Sequence, residues 1–185
     1  MMTNVTQVMV EEHKLILRMI ALVEKNTELL EQGKFRDWQF YLDAVSFIRN
    51  YADRFHHAKE EDVLFKALVA NGMPRENSPV AAMMMAHDQG RDFVRGMEEA
   101  AQLAKEGEPG QVSRIAENAR GYARLLRDHI DKEDNILYPL AEKVLPEDVR
   151  PAMQEGYRQA EASATAGLEE HYRRMVENYE ARLGA

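Results

Sequence analysis

A chain of 185 residues, 45% apolar and 30% charged, is long enough for one domain with a sizeable core and has the composition of an ordinary globular protein. A formal charge of −8 without any basic stripe speaks against nucleic acid and anionic membrane as partners. The lack of cysteine excludes disulfides, iron–sulfur clusters and thiolate chemistry, and neither a leader pattern from Met1 to Val5 nor an apolar run of about 18 residues is present, so a cytoplasmic address is expected.

Almost no segment alternates with period two, so an all-α fold is expected. The first predicted helix runs from Thr6 to Gln32 and stops at Gly33, with Val5, Met9, His13, Ile16, Ile20, Val23 and Leu30 on one stripe. The second runs from Asp37 to Asn71 and ends at Gly72, two residues before Pro74. A loop over 72–79 follows. The third runs from Val80 to Glu106, with Val80, Met83, His87, Gly90, Val94, Met97, Ala101 and Ala104 in line. The turn Gly107-Glu108-Pro109-Gly110 breaks it. The fourth runs from Val112 to Val144, with Ile115, Ala119, Tyr122, Leu126, His129, Glu133, Ile136 and Leu140 in line. Pro139 is expected to kink or end it. A last, polar helix is expected over Glu147–Leu183.

The pattern divides into residues 1–145, an up-down-up-down four-helix bundle, and 146–185, a C-terminal helix that packs on the bundle or on a partner. The bundle looks duplicated. Each helical hairpin carries a lone histidine, His13 or His87, and then a His-x-x-x-Glu, His57/Glu61 or His129/Glu133. Each glutamate is followed by an aspartate, Asp62 or Asp134, and an apolar run, Val63-Leu64-Phe65 or Ile136-Leu137-Tyr138.

Depth tests whether these side chains meet. Each of the four histidines lies about 20–22 residues from its hairpin turn, roughly 30 Å at 1.5 Å per residue, so all four can share one layer. Residues four apart share a helix face, which points Glu61 with His57 and Glu133 with His129. A lone histidine on an apolar stripe is more often a core residue than a ligand. Two buried glutamates without a cation would carry a heavy penalty, however. Imidazoles and carboxylates gathered in a bundle core suit a pair of iron ions. The metal site is therefore expected at His13, His57, Glu61, His87, His129 and Glu133. His56 and Glu60 are also four apart. The downstream stripe Glu61, Leu64, Leu68 favours His57/Glu61, whereas Phe47, Tyr51 and Phe55 run nearer the His56 face. His56 is expected outside the ligand set, in support or at the surface.

With these residues the chain resembles the hemerythrin-like family of HHE cation-binding domains. The pattern His13…His57-x-x-x-Glu61…His87…His129-x-x-x-Glu133 covers about residues 8–145, and His56–Phe65 and His87–Arg91 also look like bacterial members. The resemblance implies an oxo- or hydroxo-bridged di-iron centre in which Glu61 and Glu133 bridge both ions. The family's oxygen carriers have a second histidine four residues from the first on the third helix. Here Met83 and Arg91 stand at those positions, which leaves four imidazoles and more open coordination. That points away from plain oxygen carriage and toward redox chemistry, sensing or iron handling. Asp134 fits the spacing of the carriers' aspartate and is the alternative to Glu133. The cysteine-bearing segment of the family's iron-centre repair proteins has no counterpart. Ferritin-like Glu-x-x-His pairs are absent too: Val10, Arg54, Met84, Leu126 and Leu168 precede the histidines by three.

The expected function is a non-haem di-iron protein that binds dioxygen, peroxide or nitric oxide for sensing, scavenging or transport. A peroxidase, catalase or nitric oxide-reducing activity is its enzymatic form. The alternative is an iron-storage or metal-sensing module without turnover, and a metal-free interaction protein is the third reading. Oligomeric state is open, with a homodimer among the options. Tyr122 is expected to fill the core. His171 is expected at the surface, with a cap over the site from the last helix as the alternative. Arg91 is expected to pair with a supporting carboxylate or to face solvent.

Overall fold

Capping chemistry sets the helix boundaries. In the computed structural model, which describes residues 4–183, α1 (Gln7–Glu31) begins where the Glu142 carboxylate accepts the N–H groups of Val5 and Thr6 at 2.8 and 2.9 Å. These amides have no partner within the helix. Asp37 caps α2, residues 38–70, by accepting Phe40 N–H at 3.3 Å. Ser78 caps α3 (Pro79–Lys105) through Ala81 N–H at 3.2 Å, with Pro79 in the first turn, where its missing N–H costs nothing. Gly110, at φ +78°, leads into α4, residues 111–144. Met1–Thr3, on which the expectation of no leader partly rests, and residues 184–185 lie outside the described residues.

Helices α1–α4 form the expected up-down-up-down bundle, and no strand occurs among the described residues. The α3–α4 seam is especially close. A Cβ on Gly121 would lie 2.4 Å from Phe93 Cε1, and one on Gly96 would lie 2.3 Å from Asn118 Oδ1. Two apolar clusters fill the interior. One, around Met19, Phe40, Phe47, Met97 and Ile115, occupies the hairpin-turn end. The other, around Met9, Leu64, Leu68, Val80 and Leu137, occupies the opposite end. The histidine layer lies between them.

Helix α2 widens into π-helical turns over Ile48–His57 and Glu60–Leu64, and α4 does so over Glu133–Leu137. Such turns concentrate at functional sites. The one in α4 directly precedes Pro139. A proline ring clashes with the carbonyl four residues back, and the wider turn relieves that clash. The helix therefore continues to Val144, the expected end, and does not stop at Pro139. The same turn leaves Ile136 58% exposed, off the interior stripe on which it was expected.

The single expected C-terminal helix is two helices, α5 (Arg150–Ala162) and α6 (Leu168–Leu183), broken near Gly167 at φ +74°. Helix α5 buries Met153 and Tyr157 against the second apolar cluster. Helix α6 buries Tyr172, Val176 and Tyr179 against the first. Arg18 pairs with Glu180 at 2.7 Å, and Tyr179 donates to Asp43 at 2.5 Å. Among the described residues no helix is long and apolar enough to cross a membrane.

Candidate metal centre

Five imidazoles and two carboxylates meet in the layer between the clusters. They form two groups: His57, Glu60, His87 and His129, and His13, His56 and Glu133. Within each group one ligand atom per residue lies within 4.8 Å of the others, and all seven side chains are buried. Glu60 and Glu133 have no exposed surface at all.

The rings are paired. His13 Nε2 faces His56 Nε2 at 3.0 Å, and His87 Nε2 faces His129 Nε2 at 3.0 Å. His57 stacks on His87, with centroids 3.8 Å apart and planes 10° from parallel. The carboxylates lie between the two groups. Glu133 places Oε1 3.0 Å from His129 Nε2 and Oε2 3.4 Å from His13 Nε2. Glu60 Oε2 lies 3.4 Å from His87 Nε2 and 3.8 Å from His56 Nε2.

Four of the five rings have a carboxylate on the other nitrogen. Nδ1 of His13, His56, His57 and His87 meets Asp134, Glu12, Asp53 and Glu61 at 2.8, 2.9, 3.3 and 2.7 Å. An Nδ1–H held this way fixes the tautomer, and for His13, His56 and His87 it turns a bare Nε2 inward. Arg91 binds Asp53 and Glu61 at 2.7 and 2.8 Å and so braces two of these carboxylates. His129 Nδ1 is the exception, with no hydrogen-bond partner.

The electrostatics fit a cation. Burial favours the neutral form of each group, yet the surrounding imidazoles hold Glu60 well below the usual carboxylate range. Burial also opposes charge on His13 and His87, but Asp134 and Glu133 around the first, and Glu60 and Glu61 around the second, raise both to about 9. Burial pushes His56 and His57 down to about 3. Without a metal, then, His13 and His87 are held protonated and offset charge in the buried layer. Glu60 Oε2 and both oxygens of Glu133 still lack a hydrogen bond. Inward nitrogens and oxygens in this mixture suit iron or another borderline transition metal, which would replace those protons.

The structure gathers five of the six expected residues: His13, His57, His87, His129 and Glu133. Glu61 it turns outward, where it is 23% exposed and accepts from His87 and Arg91. Glu60 takes the inner place, and His56, expected outside, is inside and 1% exposed. The π-helical widening of α2 lets the neighbours His56 and His57 both face inward, which a 3.6-residue turn does not. The readable signal was His56-x-x-x-Glu60-Glu61 against His129-x-x-x-Glu133-Asp134, a match one residue earlier than the one based on Asp62. Asp134 lies outside the ring, on His13. His171 is exposed on α6 and does not reach the centre.

Two residues that sequence reasoning did not single out belong to the surroundings. Tyr138 donates to Glu60 Oε1 at 2.6 Å and stacks on His13 with planes 11° apart. Lys59, fully buried, pairs with Glu12 and reaches Glu161 of α5 at 3.0 Å.

No curated protein and no solved structure matches the chain. A family profile does: the Hemerythrin HHE cation binding domain, over residues 4–141. That stretch holds all seven inward residues and most of the chain, which therefore belongs to the hemerythrin HHE cation-binding domain family.

Proposed function

We propose that the chain holds two iron ions, one at His57, Glu60, His87 and His129 and one at His13, His56 and Glu133, and uses them to bind dioxygen, peroxide or nitric oxide for sensing, scavenging or transport. The observation that carries this reading is the position of Glu60 and Glu133, each facing imidazoles of both groups. Iron would supply redox-active centres with positions open to a small exogenous ligand.

The protein's own part is orientation and exclusion of water. Asp134, Glu12 and Glu61 hold the imidazole N–H groups outward, so that lone pairs point in. Tyr138 holds one oxygen of Glu60 and leaves the other facing the rings. The two apolar clusters seal the layer from both ends.

Metal analysis of protein made in iron-supplemented medium, with an absorption spectrum before and after azide, tests the proposal. About two irons per chain and an azide-sensitive near-ultraviolet band are expected for a paired centre. Protein that takes up no iron from that medium, or iron with no azide-sensitive band, rules it out. Stopped-flow consumption of peroxide and nitric oxide then separates turnover from binding.

A further inference from the structure

The two groups differ in their access to space. A cavity of about 200 Å³ reaches His57, His87 and His129 of the first group and touches no residue of the second. Ile48, Val94, Leu125 and Leu126 give it apolar walls. A dioxygen molecule needs far less room, since one water occupies only about 30 Å³ of liquid, whereas apolar cavities of about 150 Å³ take up benzene.

Two of the residues that line the cavity each carry a buried polar atom without a hydrogen-bond partner, Tyr122 Oη and His129 Nδ1. The duplicated architecture shows why one is bare. In the first hairpin Glu12, the neighbour of His13, holds His56 Nδ1. In the second hairpin the neighbour of His87 is Ala86, a cavity-lining residue, so the equivalent His129 has no carboxylate. An unpaired buried polar group is destabilising, and a bound molecule that pairs with it would relieve that. The charged residues that line it are already paired, Arg49 with Glu98, Arg91 with Asp53 and Glu61, and Arg95 with Asp92, so no unpaired charge is there to select a charged ligand. Burial, with the nearby Asp53 charge, keeps the Tyr122 phenol protonated and thus a donor.

We propose that this cavity seats a neutral organic molecule the size of a single ring, with a hydrogen-bond acceptor taken by Tyr122 O–H, beside the His57–His87–His129 face of the centre. The proposal rests on the metal reading only for what lies next to the ligand; the pocket itself is protein.

Acetophenone is the probe, α-methylstyrene its isostere with CH2 in place of the carbonyl oxygen, and benzoate the charged comparison. Binding to the metal-loaded protein is measured by calorimetry, with metal content read in parallel. Acetophenone should bind saturably at millimolar concentration or below, about tenfold tighter than α-methylstyrene, with benzoate weakest. Tyr122→Phe should erase the preference for the carbonyl. Gly90→Leu should abolish binding by filling the cavity. Gly90→Ala, whose Cβ would sit 3.5 Å from Tyr122 Cε2 in ordinary contact, should fold normally and weaken binding, which guards against a Leu variant that fails to fold. Bound iron with no saturable acetophenone binding means ordered water only and overturns this inference alone. Acetophenone bound by protein that takes up no metal overturns the metal reading and leaves the pocket. A preference that survives Tyr122→Phe overturns the assigned donor.

Discussion

The two hairpins of the bundle use one plan and finish it differently. His13, His56, Glu60 and Glu61 correspond to His87, His129, Glu133 and Asp134, and each outer carboxylate crosses to the other half's lone histidine: Glu61 to His87, Asp134 to His13. The first half then adds Glu12 and buried Lys59 behind His56. At the equivalent places the second half has Ala86 and Lys132, the latter exposed and paired with Asp128 at 2.5 Å. The second half has Tyr138 over His13 where the first has Phe65 over His87. One half is braced by charge and the other left open to a cavity. The internal repeat brings together two groups of candidate ligands, and the residues around them make the two unequal.

The comparison breaks hardest at the inner carboxylates. Glu60→Ala and Glu133→Ala should each reduce metal occupancy well beyond 100-fold, whereas Glu61→Ala and Asp134→Ala, which loosen an imidazole without removing an inward oxygen, should cost about 10–100-fold. Metal titration ranks the four, and a larger loss for Glu61→Ala than for Glu60→Ala would return Glu61 to the interior.

Next comes the lysine pair. Lys59→Met strips buried Glu12 of its ammonium partner, leaving only His56, and should destabilise the fold by about 3–5 kcal/mol, while Lys132→Met should stay within about 0.5 kcal/mol. Urea unfolding of both variants decides; equal small effects would remove the claimed asymmetry.

The pH response sharpens the electrostatic account. In the metal-free protein His13 and His87 are raised to about 9, so their contribution to stability is complete below the unfolded value near 6.5 and is lost as pH climbs through 9. His56 and His57, lowered to about 3, are neutral in the fold but charged in the unfolded chain below 6.5, so they cost stability as pH falls from 6.5 toward 3. Taken together, these imidazoles give a metal-free optimum near 6.5. Metal affinity should instead keep rising up to about pH 9, because binding displaces the His13 and His87 protons. Thermal melts with and without metal across pH 4–10 check both slopes, and parallel curves would contradict them.

The smallest effect is expected at Tyr138. Tyr138→Phe makes the halves alike at that position and removes one hydrogen bond to Glu60, costing about 1–3 kcal/mol. Phe65→Tyr adds a hydroxyl on the other side, and its stability change shows whether that side has an acceptor to offer.

Much of this was legible in the chain. The stripes of α1, α3 and α4 fixed which faces turn inward, so His13, His87, His129 and Glu133 followed from the 3.6-residue period. Among the inward residues the failure was confined to α2, where the period itself changes; the similar turn in α4 displaced Ile136 but no expected ligand. A π-helical turn shifts the inward face by a residue and admits adjacent histidines, which a fixed 3.6-residue period does not anticipate. The stripe upstream, Phe47, Tyr51 and Phe55, followed the His56 register and the stripe downstream followed His57, and that conflict was the trace of the widened turn. The break of the last helix near Gly167 was similarly masked, because the weakly apolar sequence on both sides continues a helical pattern.

Lys59 has one further consequence. The matched stretch ends at residue 141, but the second counter-ion of this ammonium, Glu161, comes from α5. A fragment cut where the resemblance stops would keep every candidate ligand and lose a screw that tightens Glu12 against His56. The border drawn by kinship and the border drawn by charge balance are not the same, and anything that pulls α5 aside is felt at Glu12, the partner of the candidate ligand His56.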